Sequence, residues 1–314
     1  QSAAKRALEV AAAGGHNLLF VGVPGSGKTM LARCLPGILP QMTQEEAFET
    51  TRIYSAAGLL PAGAGLMTVR PFRTPHHTAS AAALIGGGVN AKPGEVSLAH
   101  NGVLFLDEMP EYPRRVLEAL RQPLEDGVAN VSRVKAHMQY LARCMLIASM
   151  NPCPCGYFGS RVRACRCGSH DIRKYLDRIS GPLLDRIDIQ VEVDAVPVED
   201  IARPPSGETS QQVRQRVVQA RQVQQRRFAQ SGIRSNAQMT NKHIEQFAAM
   251  QPEATQFLHA AIKKYGLSMR AYGRIIKVAR TIADLKGQEG ITLPDIAEAV
   301  QFRMIDAKYW GTGS

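Results

Sequence analysis

A glycine-rich loop with the pattern G-x-x-x-x-G-K-T restricts the fold of this chain more than any other feature. It follows an apolar stretch, Asn17 to Val21, and precedes a segment with helical character that begins at Lys28. Its glycines allow backbone N–H groups to turn inward around phosphates, Lys28 can reach the β- and γ-phosphates, and the Thr29 hydroxyl suits Mg²⁺. We therefore expect a nucleotide to contact the loop residues Gly22, Pro24, Gly25, Ser26, Gly27, Lys28 and Thr29.

A second apolar segment, Val103 to Leu106, ends in two acidic residues, Asp107 and Glu108. Phosphoryl-transfer sites need a carboxylate that orients the metal and a group that positions the attacking water. We assign the first role to Asp107 and the second to Glu108. Acidic residues at the end of a strand can also cap the helix that follows. Together with the phosphate loop, however, they predict Mg²⁺-dependent hydrolysis of ATP.

Strands alternate with helices over the first part of the chain, which predicts an α/β fold with a parallel sheet covered by helices. The composition changes at Ala202–Gly207, and the chain beyond it has a helical pattern. We expect a nucleotide-binding domain over residues 1–200 and a helical lid domain over 201–314. Further expected elements are a helix that starts near Pro113 and ends by Gly127, a basic hairpin within Val131–Leu141, and strands at Met145–Ser149 and Ile187–Val193.

The chain carries a formal net charge of +11 and has a pI near 9.6. A basic protein favours a polyanionic partner because neutralising phosphates releases their counterions. Association with ribosomes or a simple effect on solubility would give the same charge. No segment has the apolar length of a membrane span or of a signal peptide core, so we expect a cytoplasmic location with reduced thiols and no membrane partner.

The order of the longer motifs resembles the magnesium-chelatase-like AAA+ proteins and is most similar to the ComM/YifB group. The motifs that carry the resemblance are the phosphate loop, an irregular insert, GEVSLAHNGVLFLDEMPE, a basic hairpin, ASMNPCPCG and GPLLDRIDI. The match runs over nearly the whole chain. The resemblance implies a homo-oligomeric ring, usually a hexamer, and a further N-terminal domain similar to part of the Lon protease. We therefore expect the chain to be a fragment that contains the motor.

The same resemblance implies roles that spacing alone does not give. Asn151 matches sensor 1, Arg186 matches the arginine finger that reaches the γ-phosphate bound by a neighbouring subunit, and Arg270 matches sensor 2 in the lid. An arginine finger contributes several orders of magnitude to the rate of phosphoryl transfer. Arg178 is a candidate auxiliary finger, with a surface salt bridge as the alternative.

Two segments resemble the pore elements of this AAA+ branch, and they imply contact with DNA. One is the insert from Arg70 to Gly88 with Lys92, and the other is the hairpin before sensor 1. The candidate contacts with the DNA backbone are Arg133, Lys135, Arg73 and Lys92. Such contacts position a strand without reading its sequence. The group implies a DNA-translocating motor, a helicase or branch-migration enzyme of natural transformation; a protein-remodelling ATPase of the chelatase or MoxR type is the alternative.

The segment from Thr209 to Ile244 contains no acidic residue but many basic ones: Arg214, Arg216, Arg221, Arg226, Arg227, Arg234 and Lys242. Apolar residues recur there at helical spacing, which predicts an amphipathic helix with a basic face. Contact with DNA and a solvated face beside an acidic neighbouring subunit explain this pattern equally well. His76 and His77, by contrast, are expected to be polar surface residues rather than metal ligands.

Four cysteines fall in one short loop as two close pairs: Cys153, Cys155, Cys165 and Cys167. Two pairs separated by a turn suit a tetrahedral structural zinc site, although C-x-C spacing is less typical of zinc fingers than C-x-x-C. Arginines near the pairs would favour the thiolate forms. Reduced thiols without metal are the alternative. Cys34 and Cys144 are expected to be ordinary buried residues.

Overall fold

The computed structural model describes residues 1–88, 91–133, 136–160, 163–195 and 207–310. The chain divides into two compact units. The first unit comprises Gln1–Pro40, Asn151–Gly168 and Ile187–Ser314, and the second comprises Gln41–Met150 and Ser169–Arg186. Most of the segment proposed as a domain boundary, Ala202–Gly207, lies outside the described residues, so that boundary stays a prediction.

Helices and strands are interspersed along the chain up to Glu192. In chain order they are α1 (Ser2–Gly14), β1 (Leu18–Val21), α2 (Lys28–Ile38), α3 (Gln44–Ala57), β2 (Phe72–Arg73), α4 (Ala81–Ile85), β3 (Gly86–Gly87), β4 (Lys92–Pro93), α5 (Glu95–Leu98), β5 (Val103–Leu106), α6 (Arg114–Ala119), α7 (Arg121–Asp126), β6 (Val128–Arg133), β7 (Ala136–Leu141), β8 (Met145–Met150), α8 (Ser169–Leu176), α9 (Gly181–Leu184) and β9 (Ile189–Glu192). The helices that follow are Ser210–Arg227, Asn241–Phe247, Pro252–Tyr265, Met269–Leu285, Leu293–Gln301 and Met304–Tyr309.

The first unit is built around α1 and two parallel strands. Strand β1 pairs with β9 in the register Leu18↔Ile189, and all four residues of β1 are buried. Helix α1 contacts α2, β9, the helix Ser210–Arg227 and the lid helix, the name used here for Met269–Leu285. It ends at Gly14 and is capped by Gly15, whose φ of 72° is accessible to glycine at little cost.

The second unit contains three parallel strands, with β5 paired to β2 on one side and to β8 on the other. Strands β5 and β8 are completely buried, as expected for strands covered on both faces. Helix α3 begins with a capping box, in which the Thr43 hydroxyl accepts from the backbone N–H of Glu46 and the Glu46 carboxylate accepts from that of Thr43.

The single helix expected from Pro113 to Gly127 is instead two short helices, α6 and α7, which meet at Leu120. Pro123 explains the interruption because proline has no N–H to donate to the carbonyl four residues earlier, that of Ala119, and its ring crowds that carbonyl. Helix α6 accordingly ends at Ala119.

The basic segment forms the predicted hairpin: β6 and β7 pair antiparallel, from Val128↔Leu141 to Arg133↔Ala136. The hairpin begins three residues earlier than the sequence pattern indicated. Its two central residues, Val134 and Lys135, lie outside the described residues. The described part of the chain thus has five parallel strands flanked by helices and then a helical C-terminal region, which confirms the α/β prediction. None of the helices described could cross a membrane, being too short or too polar.

Candidate nucleotide-binding site

The phosphate loop connects β1 to α2 in the first unit, in the context that its motif requires. Gly25 and Gly27 have φ values of 76° and 88°, a conformation that residues with a Cβ rarely adopt. Gly27 directly precedes α2, which begins at Lys28. A turn of this kind, followed by the N-terminus of a helix, directs backbone N–H groups toward an anion.

Lys28 is only 8% exposed, and its ammonium group contacts the loop itself. Its Nζ donates to the carbonyl oxygens of Gly22 at 2.7 Å and of Val23 at 2.9 Å, and to Oδ1 of Asn151 at 3.2 Å. The phosphate-loop motif assigns Lys28 to the phosphates, and the family resemblance implies the sensor-1 role for Asn151. The structure brings these two side chains into direct contact within the first unit.

The cysteine-rich loop that follows Asn151 reaches the phosphate loop through Gly156. This glycine has a φ of 85°, and a Cβ built on it would lie 2.6 Å from both Cγ and Cδ of Pro24. Carbon atoms in contact are normally about 3.5–4.0 Å apart. Gly156 therefore permits a contact with the phosphate loop that no other residue type would allow, a role that the sequence motifs do not reveal.

The acidic pair lies in the second unit, directly after β5. Asp107 Oδ1 accepts a short hydrogen bond from the hydroxyl of Ser149, a buried residue of β8. The backbone N–H of Glu108 donates to the same hydroxyl at 3.3 Å. Glu108 is exposed and has a φ of 52°, which is uncommon for a residue with a side chain and often marks a functional position.

Ser149 is thus a further site residue that the sequence motifs did not identify. The strand register explains its place: Leu106 lies beside Ala148, so the residues that follow them, Asp107 and Ser149, emerge next to each other. The Ser149 hydroxyl holds both the carboxylate of Asp107 and the backbone N–H of Glu108, and so it orients the acidic pair.

Arg186 follows α9, at the end of the second unit. Its guanidinium forms an ion pair with Glu125, and its side chain is 15% exposed. Arg270 occupies the first turn of the lid helix, where the Ser268 hydroxyl caps the helix by accepting from Ala271, and Arg270 is exposed. The finger and sensor-2 roles of these arginines remain predictions.

Arg178 forms a surface salt bridge, the alternative raised for it from the sequence. Its Nη1 lies 3.1 Å from Glu111 Oε2 and 3.1 Å from the Pro110 carbonyl oxygen, and both charged side chains are 45% exposed. It also borders an open cleft of about 350 Å³ with a predominantly basic lining: Arg114, His170, Arg173, Lys174, Asp177 and Arg178. An exposed pair of this kind is weak, and the auxiliary role of Arg178 stays a prediction.

The four clustered cysteines have the geometry of a metal site. Their sulfurs lie within 4.8 Å of one another, with Cys153 Sγ at 3.4 Å from Cys155 and 3.7 Å from Cys165, and Cys155 at 3.6 Å from Cys165. Zinc–sulfur bonds of about 2.3 Å in a tetrahedron place the sulfurs roughly 3.8 Å apart. The donor set therefore fits a closed Cys₄ zinc site, and it is the only such group found among the described residues.

Hydrogen bonding within the cysteine loop favours the charged form of one ligand. Backbone N–H groups of Arg166 and Tyr157 lower the pKa of Cys155 to about 6. Burial acts in the opposite direction on its neighbour and raises the pKa of Cys153 to about 12. Metals bind thiolates, so this loop already stabilises part of the charge that a metal site requires.

The two remaining cysteines differ from the expectation that both are buried. Cys34 is exposed on α2, so that prediction was wrong for it: the described residues leave its face of the helix open to solvent. Cys144 is half-buried as a residue, although burial of its thiol raises the pKa to about 12.

The two segments proposed to hold DNA meet in the second unit. The Tyr140 hydroxyl of β7 donates to the Ala91 carbonyl at 2.9 Å, and a Cβ on Gly86 would lie 2.7 Å from Cγ2 of Val131. Lys92, which follows Ala91, is exposed. Arg133 ends β6, and Lys135 lies outside the described residues. The insert and the hairpin therefore form one assembly.

Arg73, the fourth candidate for DNA contact, is engaged within the protein. Its guanidinium forms a two-pronged ion pair with Glu95, at 2.7 and 2.8 Å. The hydrogen bonds to Glu95 outweigh burial and raise the pKa of Arg73. A contact between Arg73 and DNA would therefore need this pair to open, whereas Lys92 is already exposed to solvent.

The basic face of the helix Ser210–Arg227 is partly explained by internal contacts. Arg216 pairs with Glu9 and Glu208, and its pKa is raised by them. Arg221 Nε donates to the Ala12 carbonyl at 3.0 Å, and Arg227 pairs with Asp284. These three arginines hold the helix against other segments of the first unit, which weakens the case that this face serves DNA.

The fold and the loop that holds Lys28 define the class: a P-loop nucleotide-binding protein with a helical C-terminal region. The family model described as "Magnesium chelatase, subunit ChlI" matches residues 1–201, and the model for its C-terminal part matches residues 207–303. Over 304 residues the chain is 49% identical to "Competence protein ComM" of Haemophilus influenzae, covering 96% of this chain and 58% of that protein.

It is also 45% identical to "Uncharacterized protein YifB" of Escherichia coli, over 98% of this chain and 59% of the relative, and 42% identical to an uncharacterized protein of Mycobacterium tuberculosis, over 98% and 61%. The chain belongs to the ComM/YifB family of magnesium-chelatase-like AAA+ proteins. It spans about three-fifths of the length of these relatives. Membership of this family supports an ATPase.

Proposed function

We propose that this chain is the ATP-hydrolysing motor of a ring-forming enzyme that moves along DNA. The observation that carries the proposal is the contact of Lys28 with the phosphate loop and with Asn151, which joins the phosphate-binding cation to the sensor-1 amide. Lys28 already lies among carbonyl oxygens, so it can transfer its hydrogen bonds to the β- and γ-phosphates of ATP without leaving the loop.

The remaining chemistry is assigned to the acidic pair, sensor 1 and the lid. Thr29 and Asp107 would hold Mg²⁺, which neutralises the charge that develops on the phosphates. Glu108 accepts a proton from the attacking water as general base, and Ser149 holds the backbone at Glu108 in place. Asn151 orients the water, and Arg270 contacts the same nucleotide from the lid.

The ring supplies the last catalytic group. Arg186 reaches the γ-phosphate on a neighbouring protomer, with Arg178 in support, so a site is complete only between two subunits. In the single chain, Glu125 neutralises Arg186. Assembly, which we expect to be hexameric, must therefore exchange this carboxylate for a phosphate, and the exchange makes hydrolysis depend on the oligomer.

DNA is proposed as the polymer along which the ring moves. The insert and the hairpin, which carry the basic candidate residues, are joined to each other in the second unit. The Tyr140–Ala91 hydrogen bond ties the hairpin to the strand of Lys92, and we assign the contacts with the phosphate backbone to Arg133, Lys135 and Lys92. The net charge of +11 agrees with this role, and the relative from Haemophilus is named a competence protein. Helicase or branch-migration activity in natural transformation is the specific form proposed.

The test is the rate of ATP hydrolysis with and without single-stranded or branched DNA across a salt series. DNA-stimulated turnover should fall steeply as salt rises, since each phosphate contact on a single strand contributes about −0.7 to the slope of log K against log salt. Lys135→Ala should lose the stimulation, and Lys263→Ala, an exposed lysine of the helix Pro252–Tyr265, is the matched control.

A protein-remodelling motor is the competing function, and the family's description as a magnesium chelatase subunit favours it. That enzyme would hydrolyse ATP with the same residues but would act on a protein partner. ATP turnover that is unchanged by every DNA tested and is stimulated by a captured protein would support this alternative and contradict the DNA motor.

The four cysteines are proposed to hold a structural zinc ion. Four thiolates leave no open coordination position, so the metal would act as a cross-link in the loop and take no part in hydrolysis. The cross-link would stabilise a segment that contacts the phosphate loop. Cys153 and Cys155 lie between Asn151, which contacts Lys28, and Gly156, which contacts Pro24. Metal analysis of the purified chain should find one zinc per chain.

A further inference from the structure

A buried carboxylate, Asp188, lies two residues after Arg186 and has no part in the site described above. It is 5% exposed and directly precedes β9. Its Oδ2 lies 3.0 Å from Nδ1 of His16, and its Oδ1 accepts from Nη1 of Arg274 at 2.5 Å. The second nitrogen of His16 contacts the hydroxyl of Thr281 at 2.8 Å. Asp188, His16, Arg274 and Thr281 all belong to the first unit.

The charge of Asp188 is retained in spite of its burial. Burial alone would raise the pKa of this carboxyl, but Arg274 and His16 hold it well below its usual range. A buried ion pair contributes little net stability compared with apolar side chains of the same size, since removing charges from water is costly. A contribution to stability therefore explains the buried carboxylate poorly. The positions of its partners indicate a different role for Asp188.

The backbone around Asp188 is also held from two sides. The N–H of Asp188 donates to the Asn17 carbonyl at 3.1 Å. Nη1 of Arg303, a buried residue, donates to the Ile187 carbonyl at 2.5 Å. The chain is therefore fixed by both its backbone and its side chain in the two residues that directly follow Arg186.

The partner on the lid helix connects this anchor to the nucleotide sensor. Arg274 lies four residues after Arg270, so the two arginines occupy the same face of the helix Met269–Leu285. Asp188 holds Arg274 through an ion pair and is joined to Arg186 through one intervening residue. The lid helix is thus held by a side chain that lies two residues after the candidate finger.

We propose that Asp188 is a positioning residue for Arg186. Arg186 is the finger that a protomer extends toward its neighbour, and Asp188 connects this finger to the lid helix, which senses the nucleotide bound by the same protomer. The proposal rests on the proposed function, in which Arg186 acts on the neighbouring site. Catalytic groups tolerate little displacement, and an error of about 1 Å can cost roughly 100-fold in rate. Release of the anchor should therefore impair the finger far more than the site of the same protomer.

Mixed rings separate these two effects. A Glu108→Gln protomer cannot activate water but can donate its finger, and an Arg186→Ala protomer can hydrolyse ATP but has no finger to donate. Mixing the two should restore turnover at interfaces that combine the intact halves. Asp188→Asn is then added either to the Glu108→Gln protomer, as finger donor, or to the Arg186→Ala protomer, as finger acceptor.

We expect Asp188→Asn in the donor to reduce the restored turnover by about 10- to 100-fold, while the same change in the acceptor leaves most of it. Equal losses in donor and acceptor would show a general effect on folding and would overturn the proposal, as would full activity with the altered donor. If the mixture of Glu108→Gln and Arg186→Ala itself is inactive, the trans site of the proposed function fails, and this proposal fails with it.

Two measurements guard against an unfolded variant. Each double variant should bind an ATP analogue with unchanged affinity, and its thermal unfolding should remain cooperative. Arg274→Gln provides a second route to the same release, because it removes the contact with Oδ1 of Asp188 from a side chain that is 17% exposed and leaves the carboxylate itself in place. It should reproduce the difference between donor and acceptor, and equal effects in both positions would contradict the proposal.

Discussion

Replacing Gly156 by alanine tests whether the cysteine loop supports the phosphate loop. The new methyl group would lie 2.6 Å from two ring carbons of Pro24, about 1 Å closer than carbon contacts allow, and a proline ring cannot rotate away. The backbone adds a second cost, because a φ of 85° costs a residue with a Cβ about 1–2 kcal/mol. Gly159→Ala is the matched control, since Gly159 has a φ of 72° and a Cβ added there would meet no atom within 4 Å.

Gly156→Ala and Gly159→Ala should therefore share the free-energy cost of a positive φ. Only Gly156→Ala should also carry the cost of the steric overlap with Pro24. Overpacking typically costs about 1–3 kcal/mol, so we expect Gly156→Ala to lower the free energy of unfolding by about 2–5 kcal/mol and Gly159→Ala by about 1–2 kcal/mol. If Pro24 moves to relieve the contact, the same cost of about 1–3 kcal/mol weakens nucleotide binding by about 5- to 150-fold. Denaturant unfolding and titration with a fluorescent ATP analogue measure the two quantities.

The comparison of binding affinities is the decisive one. Gly159→Ala should bind the nucleotide as the unaltered chain does, because its strain is confined to the cysteine loop. Equal affinities for the two variants would refute the reasoning, since the cysteine loop would then not support the phosphate loop through Gly156.

The remaining predictions concern the acids and the thiols. Glu108→Gln should bind ATP with little change in affinity and hydrolyse it at least about 100-fold more slowly, which single-turnover assays would show; normal turnover would contradict the general-base role. Ser149→Ala leaves Asp107 and the Glu108 N–H without a shared partner, so it should lower stability by about 1–3 kcal/mol in denaturant unfolding and slow hydrolysis; an unchanged rate would remove Ser149 from the site. A maleimide should label exposed Cys34 first and the four clustered thiols only after a chelator has removed zinc, with mass spectrometry as the readout; simultaneous labelling would contradict a metal site.

Local signals in the sequence predicted local structure well. The phosphate loop and the hairpin both depend on residues close to one another in the sequence, and the structure contains both of them. The helix after Pro113 is shorter than its sequence pattern predicts, because Pro123 cannot donate a hydrogen bond to the Ala119 carbonyl.

Contacts between distant segments could not be predicted in the same way. Ser149 meets Asp107 only because β5 and β8 are neighbours, and Gly156 meets Pro24 only because the cysteine loop folds back onto the phosphate loop. Asp188 draws its partners from both ends of the first unit, His16 and Arg274. The exposure of Cys34 likewise depends on which face of α2 has neighbours, which the residue type does not reveal.

The dependence of ATP hydrolysis on assembly tests the central claim most directly. The rate per chain, measured with Mg²⁺ and saturating ATP over a range of protein concentrations, should rise as rings form and then level off. Arg186→Ala should assemble and bind ATP yet show no such rise, because its neighbours receive no finger. A constant rate per chain at all concentrations, or full activity of Arg186→Ala, would contradict a catalytic site shared between protomers.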